Sequence, residues 1–452
     1  MNIIVVGLGK VGVQLIDRLS VEPDYNITAI DTRELVLKDY VNRYDIIGVE
    51  GSGTSLDTLR EARAKHADLV IAVTGSDEMN LLTCLMAKKL GAQSTIARVR
   101  NPEYSKEMHL LKEDFGISMV INPEQTAANE IARLLRFPSA VEVDTFAKGR
   151  IEILRFKVGE GSPLDGIILK NVHSTLNCDI LVCGVERDDE AIIPNGNFKI
   201  LAGDYISVVG SIKNASAFIK KIGLKTNRAK DVMIVGGGKI AAYLAKNLLK
   251  SGIDVKIVEQ NESRCGELCE LLPKASIING DGTDSRLLLE EGIEKAGSFV
   301  ALTGIDEENV MLSLYARTKT DGKVITKINK IAYDEVIDNI GLDTVIYPKD
   351  IVAEYIVRFV RAKNNSVGSN IETMHYILDD KAEALEFAIV ENSPVANKTL
   401  ESLELKDGVL VACINRGGEI ITPRGKDVMK PGDTVIVVTT HGGFDDISDI
   451  LR

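Results

Sequence analysis

Two glycine-rich segments contain the residues whose types and spacing most clearly predict chemistry. The first, GLGKVG, contains Gly7, Gly9 and Gly12 between an apolar run and a helical pattern. In such a segment the first glycine permits a tight turn, the second lets the backbone approach a pyrophosphate, and the third allows a helix to pack closely on a strand. Unpaired N–H groups and the dipole at the helix N-terminus attract the phosphate. The segment therefore predicts a nucleotide site, and glycines that serve packing alone are the alternative.

An acidic residue follows at the distance that such a site requires. Asp31 ends the next apolar run, 24 residues after Gly7 (31 − 7). Its carboxylate can accept hydrogen bonds from both hydroxyls of a ribose, and its charge would repel a 2′-phosphate. NAD(H) is therefore favoured over NADP(H), although the nearby Arg33 leaves NADP(H) open.

The second segment, GGGKIA, keeps two of the three glycines. Gly236 and Gly238 occupy the turn, and Ala241 stands in the third position, where alanine is tolerated. The next apolar run ends in Glu259, which can take the ribose-binding role. This segment predicts a second nucleotide site, and a degenerate copy with a purely structural role is the alternative.

The two segments belong to a duplication of the whole chain. Gly7 corresponds to Gly236 and Gly51 to Gly280, with the same offset of 229 residues (236 − 7 = 280 − 51). The same offset relates AVTGSDEMN to ALTGIDEEN and AIIPNG to IITPRG. The agreement covers some 200 residues with only small compensating insertions and deletions. The chain is therefore a tandem repeat of one unit.

Each half begins with apolar runs that alternate with helical patterns, and this alternation predicts a doubly wound, Rossmann-like parallel α/β lobe. Each half ends with short alternating strands and Gly, Pro and Asn turns, which predict a small α/β lobe. Long helices at Glu124–Arg136 and Asp350–Arg361 are expected to close the two larger lobes. The predicted domains are residues 1–138, 139–222, 230–363 and 370–452, with flexible joints at Gly223–Lys230 and Asn364–Asn370.

In the first lobe the sequence predicts particular elements. The predicted strands are Ile3–Val6, Ile27–Ile30, Asp45–Val49, Leu69–Val73 and Thr95–Val99. The predicted helices between them are Val11–Leu19, Leu56–Ala64, Asn80–Leu90 and Tyr104–Asp114.

Further candidates lie where the strands of such a lobe end, because ligands of this fold bind beyond the carboxyl ends of the strands. Arg98 and Lys327 end the fifth strand of their halves and could pair with a phosphate, with a surface salt bridge as the alternative for Arg98. Lys10 and Lys239 could reach phosphates of their own site or of a partner's site, or remain solvated. The acidic residues Asp77, Glu78 and Asp306 are expected to be helix-start acids. The predicted binding set is Gly7, Gly9, Lys10, Val11, Gly12, Asp31, Thr32, Gly51, Thr54, Thr74, Gly75 and Arg98 in the first half, and Gly236, Gly238, Lys239, Ile240, Glu259, Gly280, Asp281, Thr303, Gly304 and Lys327 in the second.

Composition and charge argue against several classes of protein. The net charge is −12 and no dense run of Lys or Arg occurs, which argues against nucleic-acid binding. No stretch of about 18 apolar residues predicts a membrane-spanning helix, and the N-terminus is typical of a strand and turn rather than of a signal peptide. The six cysteines form no CxxC pair, and no histidine completes a set with Cys265 and Cys269, so no metal site is expected.

No catalytic set is expected either. A dehydrogenase needs a proton donor or acceptor beside the nicotinamide, and none of the five histidines recurs at the equivalent position of the repeat. The segment GxxxxGK[ST] of P-loop enzymes is absent. These observations favour a protein that binds a nucleotide without converting it.

Two glycine turns with an acidic residue after the second strand, a GxGT turn, a TGxDExN segment and a small C-terminal lobe together resemble the regulatory subunits of Trk potassium-uptake systems (TrkA type). The modules of that family are called RCK or KTN domains. The resemblance covers essentially the whole chain, including the duplication. It implies a cytoplasmic, peripheral protein that forms a homo-oligomeric ring, a tetramer or a dimer of dimers, under a membrane subunit that translocates K⁺.

The resemblance also implies that NAD(H), and ATP or ADP, bind in the Rossmann crevices and that the chain is not an enzyme. Ala241 and Lys327 depart from the first copy's Gly12 and Arg98, so the second site is expected to prefer a different nucleotide or none. An NAD-dependent oxidoreductase and an RCK regulator of another cation transporter remain the alternatives.

Overall fold

The structure, a computed structural model, describes residues 1–20, 25–101, 104, 115–136, 142–146, 150–223, 230–330, 337, 340–366, 371–378, 381–444 and 446–452. Its residues form two compact units, Met1–Ala132 with Ala229–Val360, and Arg133–Arg228 with Arg361–Arg452.

The described elements of the first half follow the predicted alternation of strands and helices. Strands β1 to β6 are Asn2–Val6, Asn26–Asp31, Ile47–Glu50, Leu69–Ala72, Thr95–Arg98 and Met119–Ile121, and strands β7 to β11 are Glu142–Phe146, Ile151–Lys157, Leu181–Arg187, Glu190–Ile192 and Tyr205–Ser211. Helices α1 to α7 are Lys10–Leu19, Glu34–Arg43, Leu56–Glu61, Asp77–Leu90, Pro123–Arg136, Val172–Leu176 and Ile212–Lys221.

The second half repeats this order. Strands β12 to β17 are Asp231–Val235, Asp254–Glu259, Ser276–Asn279, Ser298–Ala301, Lys323–Lys327 and Thr344–Ile346, and strands β18 to β22 are Ile371–Ile377, Ala382–Ala388, Val409–Arg416, Glu419–Ile421 and Thr434–Thr439. Helices α8 to α12 are Lys239–Lys250, Glu262–Leu271, Ser285–Glu290, Asp306–Lys319 and Pro348–Ser366.

Short 3-10 helices occur in both halves. They lie at Ala64–His66, Leu169–Asn171, Ile293–Lys295, Leu400–Ser402 and Ile447–Ile450.

The first unit contains two parallel six-stranded sheets with the same strand order. The orders are β3-β2-β1-β4-β5-β6 and β14-β13-β12-β15-β16-β17, and all the registered pairs in both sheets are parallel. This is the order of the dinucleotide-binding fold, which reverses direction between its first and fourth strands. The predicted fold class of these lobes is confirmed.

The long helix of the second half is packed differently from the prediction. Val352, Ile356 and Val360 on α12 are fully buried and belong to the same hydrophobic core as Leu15 and Ile71 of the first lobe. The helix therefore covers the first sheet rather than closing only its own lobe. It also extends to Ser366, beyond the predicted end at Arg361 and into the segment that was predicted to be a flexible joint.

The helix α5 of the first half contacts the second lobe in turn. Asn129 on α5 accepts a hydrogen bond from the Nδ2 of Asn247 at 2.8 Å, and Asn122, just before α5, donates to the hydroxyl of Tyr243 at 3.2 Å. A sequence pattern shows that a helix has an apolar face, but two similar sheets offer that face equally suitable partners. Tertiary packing therefore decides that each long helix contacts the lobe of the other half, an arrangement called the helix exchange below.

Several element predictions for the first lobe differ from the structure. The helix predicted at Leu56–Ala64 ends at Glu61, because Arg63 takes a left-handed conformation with φ of 59° and a 3-10 turn follows. Helix α2 was not predicted, and Leu37 is its only buried residue, so its apolar periodicity is weak. The helix predicted at Tyr104–Asp114 lies outside the described residues except for Tyr104 itself.

The second unit contains two five-stranded antiparallel sheets, ordered β10-β9-β11-β8-β7 and β21-β20-β22-β19-β18. Phe146, Ile153 and Cys183 of one sheet share a buried hydrophobic cluster with Ala384 and Cys413 of the other. The two small lobes therefore bury part of their apolar surface against each other, and the predicted α/β class of the small lobes is confirmed.

A repeated ion pair stabilises both small lobes and was not predicted. Arg187 donates through Nε and Nη2 to Asp204 at 2.7 and 2.8 Å. Arg416 donates to Asp433 in the same way at 2.9 and 2.7 Å. Both aspartates are buried, and a bidentate geometry of this kind suits arginine better than lysine. The pairs fix the loop before β11 and the loop before β22.

Among the described residues, no helix is both long enough and apolar enough to cross a membrane.

Candidate functional site

The first glycine of each turn is required by backbone geometry. Gly7 follows β1 with φ of +98°, and a Cβ there would lie 2.9 Å from the backbone of Thr74. Gly236 has φ of +99°, and its Cβ would lie 2.8 Å from the carbonyl of Leu302. Both glycines therefore stand between the first and fourth strands of their sheet, at the point where the strand order reverses and ligands of this fold bind.

The second glycine of each turn borders open space. A Cβ at Gly9 or Gly238 would have no atom within 4 Å, and each glycine is the extended N-cap of the following helix, with no side-chain cap. The first helical backbone bonds run from Val13 N to Gly9 O at 2.9 Å and from Ala242 N to Gly238 O at 3.1 Å. The N–H groups before these bonds have no partner in the helix ladder and can face an anion.

The third position differs between the two turns. A Cβ at Gly12 would lie 2.0 Å from the carbonyl oxygen of Gly7, so only glycine fits the first turn. Ala241 occupies the equivalent position in the second turn and is fully buried. The second turn therefore accommodates the methyl group that the first excludes.

The two acidic residues lie at the ends of β2 and β13, beside the glycine turns. Oδ2 of Asp31 accepts the N–H of Leu8 at 2.7 Å, and Oε2 of Glu259 accepts the N–H of Gly237 at 2.7 Å. The other oxygen of Glu259 accepts the N–H of Asn261 at 2.8 Å. Each carboxylate is thus held beside its glycine turn, where the sequence analysis expects a ribose to bind.

Among the described residues, a side-chain cation pairs with the first carboxylate and none pairs with the second. Arg33 donates to Asp31 and also to the carbonyl of Leu8, at 2.8 Å. Burial alone would raise the pKa of Asp31, but the hydrogen bonds from Arg33 and from the N–H of Leu8 outweigh it and hold the pKa below its ordinary value. Asp31 is therefore a carboxylate at neutral pH.

The second crevice contains an open cavity of about 430 Å³ beside Glu259. Its lining includes Gly237, Gly238, Glu259, Asn261 and Arg264. The size and the lining of glycine backbone, carboxylate and polar side chains suit part of a nucleotide.

The turn after the third strand is shaped by packing. A Cβ at Gly51 would lie 2.4 Å from the hydroxyl of Thr58, and one at Gly280 would lie 2.5 Å from Leu287. The hydroxyl of Thr54 lies 2.9 Å from that of Ser52. Asp281 accepts the N–H and the hydroxyl of Thr283 at 2.9 and 2.8 Å, which holds the pKa of Asp281 below its ordinary value. These residues lie at the predicted edge of the crevice.

Two buried asparagines organise the crevices and were absent from the predicted set. The side chain of Asn80 accepts the N–H of Thr74 at 2.8 Å and donates to the carbonyl of Arg98 at 2.9 Å. Asn309 makes the equivalent bonds to Thr303 and Lys327, at 2.8 and 3.0 Å. Each asparagine ties the ends of the fourth and fifth strands together. The repeated TGxDExN segment was the sequence signal that could have identified them, since its last residue is Asn80 in the first copy and Asn309 in the second.

The predicted cations at the ends of β5 and β16 lie at the same edge. Arg98 donates through Nη2 to the carbonyl of Thr74, and Lys327 donates through Nζ to the carbonyl of Thr303 at 2.6 Å. Burial lowers the pKa of both Arg98 and Lys327. The surface salt bridge considered for Arg98 is not among the ion pairs of the described residues, since its charge is largely buried against the end of β4.

The charge of Lys10 in the first lobe acts on Lys327 at the end of β16 in the second. After burial and the opposing effect of Asp306, the charge of Lys10 further lowers the pKa of Lys327. Lys10 and Lys239 are both exposed. The charges of Lys10 and Lys327 therefore repel each other across the two lobes.

The other predicted residues fall into two groups. Val11 is a core residue whose side chain packs inside the first lobe, so only its backbone can contact a ligand, and Ile240 is half-buried. Exposed positions at the same strand ends are Thr32, Gly75 and Gly304.

The acids that begin α4 and α11 have a structural role. Asp77 accepts the N–H groups of Arg100 and Asn101 at 2.8 and 2.7 Å. Asp306 accepts those of Asn329 and Lys330 at 2.9 and 2.7 Å. These bonds hold the loop that follows the fifth strand, in agreement with the expected role as helix-start acids.

The described residues contain no group of three or more His, Cys, Asp or Glu side chains that could hold a metal ion.

Family models match four segments of the chain in the order of the four lobes. The TrkA-N domain matches residues 3–123 and 232–348, and the TrkA-C domain matches residues 153–223 and 384–452. The chain belongs to the TrkA family. The resemblance inferred from the glycine turns, the acidic residues and the duplication is thereby confirmed.

Named relatives agree over the full length of this TrkA-family chain. It is 32% identical to Trk system potassium uptake protein TrkA homolog 1 of Methanosarcina mazei, over 100% of both chains. It is also 32% identical to Trk system potassium uptake protein TrkA of Haemophilus influenzae, over 97% of this chain and 95% of that protein. The crystal structure of the GsuK RCK domain has the same fold, with a TM-score of 0.62 and 18% identity over 97% of this chain and 92% of that one.

Proposed function

We propose that this TrkA-family chain is the cytoplasmic, nucleotide-sensing regulatory subunit of a Trk-type potassium-uptake system. NAD(H), and also ATP or ADP, bind in the two Rossmann crevices. The subunit forms a homo-oligomeric ring on the cytoplasmic face of a membrane subunit that translocates K⁺, and it does not convert the nucleotide.

One observation carries this proposal: the same glycine turn with an adjacent carboxylate occurs in both lobes. In each lobe an uncapped helix N-terminus begins at Gly9 or Gly238, and a carboxylate, Asp31 or Glu259, accepts an N–H of the same glycine turn. A phosphate at the helix N-terminus and a ribose at the carboxylate are the two features by which this fold holds a dinucleotide. The names of the full-length relatives support the choice of potassium uptake.

Two lysines support the binding of phosphates in the second crevice. Lys327 lies at the carboxyl end of β16, and the charge of Lys10 in the first lobe lowers the pKa of Lys327. Two cations that repel each other are more stable with an anion between them than alone, and burial already lowers the pKa of Lys327. ATP or ADP in the second crevice therefore has a chemical basis in these two lysines.

Regulation follows from the way the lobes are joined. Helix α12 belongs to the second half but packs in the core of the first lobe. A ligand that fits one arrangement of the lobes better than another shifts the equilibrium between them, and only that difference in affinity can do so. A coupling of about 1–3 kcal/mol would change the occupancy of a transport-competent state by roughly 5- to 150-fold.

The test measures binding and transport separately. Purified protein is titrated calorimetrically with NADH, NAD⁺, ATP and ADP, and K⁺ flux is measured in proteoliposomes that contain the membrane subunit and this chain. Asp31→Asn, which keeps one oxygen for the N–H of Leu8, should weaken NADH binding and reduce the response of K⁺ flux to NADH. The absence of affinity for every adenine nucleotide would refute the proposal.

The oxidoreductase alternative predicts a different result. Such an enzyme would consume NADH steadily in the presence of a small carbonyl substrate, which absorbance at the nicotinamide band detects. Sustained turnover at a rate typical of enzymes, on the order of 1 s⁻¹ or more, would replace the regulatory proposal with an enzymatic one.

A further inference from the structure

The two ribose-binding carboxylates differ in how many of their hydrogen-bonding positions are occupied. Asp31 accepts four hydrogen bonds, from the N–H of Leu8 at 2.7 Å, from the N–H of Arg33 at 2.9 Å, and from Nε and Nη2 of Arg33 at 2.9 and 3.0 Å. A carboxylate offers about four lone-pair positions. The acceptor capacity of Asp31 is therefore filled by the protein itself.

Glu259 keeps free capacity. It accepts the N–H groups of Gly237 and Asn261 at 2.7 and 2.8 Å. The neighbouring arginine, Arg264, donates to the carbonyl of Gly237 at 2.8 Å and to Glu267 at 2.6 Å instead of to Glu259. Glu259 and Arg264 both line the open cavity of the second crevice.

Arg33 and Arg264 therefore share one contact and differ in the other. Arg33 binds the carbonyl of Leu8, which corresponds to Gly237 in the repeat (237 − 8 = 229), just as Arg264 binds the carbonyl of Gly237. Only Arg33 also pairs with the ribose-binding acid. The side chain of Arg33 is 56% exposed while that of Asp31 is 7% exposed, so the guanidinium covers the carboxylate on its solvent side.

We propose that Arg33 is a specificity-determining cap on the first nucleotide site. This inference rests on the proposed nucleotide-binding function and deepens it. The two hydroxyls of an adenosine ribose need the oxygens of Asp31 as acceptors, so NAD(H) binds the first crevice only when the guanidinium of Arg33 moves away. The second crevice has no such competitor, and the chain therefore binds NAD(H) at two sites of unequal affinity, the second being the tighter.

The displaced guanidinium also changes the discrimination against NADP(H). It remains tethered two residues from Asp31 and is free to pair with an anion on the ribose, such as a 2′-phosphate. Arg33 thus opposes binding of a free ribose diol and compensates the repulsion between Asp31 and a 2′-phosphate. Its removal should have different effects on NADH and NADPH.

The experiment isolates the first site and removes the cap. In a full-length Glu259→Ala background, which disables the second ribose position, NADH and NADPH are titrated calorimetrically with and without Arg33→Ala. Because a half-exposed ion pair is weak, the variant should bind NADH about 3- to 10-fold more tightly, while NADPH binding should weaken or stay unchanged. Lys38→Ala is the matched control, because Lys38 carries the same charge on the helix that follows Arg33 but pairs with Glu34.

The outcomes separate the two proposals. NADH binding that is unchanged or weaker in Arg33→Ala, or a tightening that is equal for NADH and NADPH or is reproduced by Lys38→Ala, would overturn the cap while leaving nucleotide sensing intact. Absence of NADH binding to the unmutated protein would instead overturn the proposed function, and the cap with it.

Discussion

Replacement of Gly9 by alanine should separate ligand binding from folding in the first lobe. Gly9 has φ of −82° and ψ of −168°, an extended conformation that alanine adopts freely. The added methyl group would have no protein atom within 4 Å, so it would not strain the fold. It would instead occupy the space through which a pyrophosphate approaches the helix N-terminus.

The substitution should have a small effect on stability and a large effect on ligand binding. Loss of a glycine N-cap and the lower entropy of the unfolded alanine chain nearly offset each other, so the free energy of unfolding should change by less than about 1 kcal/mol. The melting temperature should then move by no more than about 2–4 °C. Steric overlap with the ligand should cost about 1–3 kcal/mol of binding free energy, by analogy with overpacked interiors.

Calorimetry and thermal unfolding measure the two properties on the same sample. Gly238→Ala should reproduce the result in the second crevice, because its Cβ also faces open space. Gly12→Ala is the contrasting variant: its Cβ would lie 2.0 Å from the carbonyl oxygen of Gly7, so it should destabilise the lobe. Wild-type NADH affinity in both Gly9→Ala and Gly238→Ala would refute the assignment of the turns as phosphate sites.

Three further predictions concern stability. Asn80→Ala should lower the free energy of unfolding by about 1–3 kcal/mol in denaturant titrations, because the buried side chain of Asn80 is the acceptor for the N–H of Thr74 and a donor to the carbonyl of Arg98. An effect below about 0.5 kcal/mol, a rough threshold for surface changes, would contradict this. Ile356→Ala should cost about 2–5 kcal/mol and destabilise the first lobe, whose core contains Ile356; hydrogen exchange that changes only in the second lobe would contradict the helix exchange. Burial would raise the pKa of Asp433, but hydrogen bonds from Arg416 lower it overall. The stabilising effect of Asp433 is therefore full above the unfolded pKa of about 3.9 and is lost as the pH falls through the lower folded pKa. The difference in unfolding free energy between the wild type and Asp433→Asn should be constant at neutral pH and shrink below about pH 4, and a constant difference down to about pH 2 would contradict this.

The glycine turns and the positions of their acidic partners were largely predictable because their geometry is local. Gly7, Gly9 and Gly12 are dictated by the backbone path from a strand into the next helix, and Asp31 by the end of the neighbouring parallel strand. Short-range constraints of this kind leave a fixed spacing in the sequence. The duplication then allowed the second crevice to be located from the first by a single offset.

The engagement of each side chain was not predictable from spacing. Asn80 lies in the first turn of α4 and was not predicted to have a role, although its side-chain amide joins the ends of two strands. Arg33 was considered only for its charge, whereas its role depends on reaching both Asp31 and the carbonyl of Leu8. These roles depend on contacts between different elements, because Asn80 reaches the carbonyl of Arg98 and Arg33 reaches the carbonyl of Leu8.

The sequence alone determined the strand–helix alternation, the two glycine turns with their acidic partners and the fourfold lobe order, because each follows from periodicity or from a local backbone requirement. Tertiary structure decided which sheet each long helix covers, since α12 carries an apolar face that either of two similar sheets could bury and it packs on the first. It also decided that Asp31 is capped and Glu259 is open, because hydrogen-bond capacity is shared out only when the side chains meet in space.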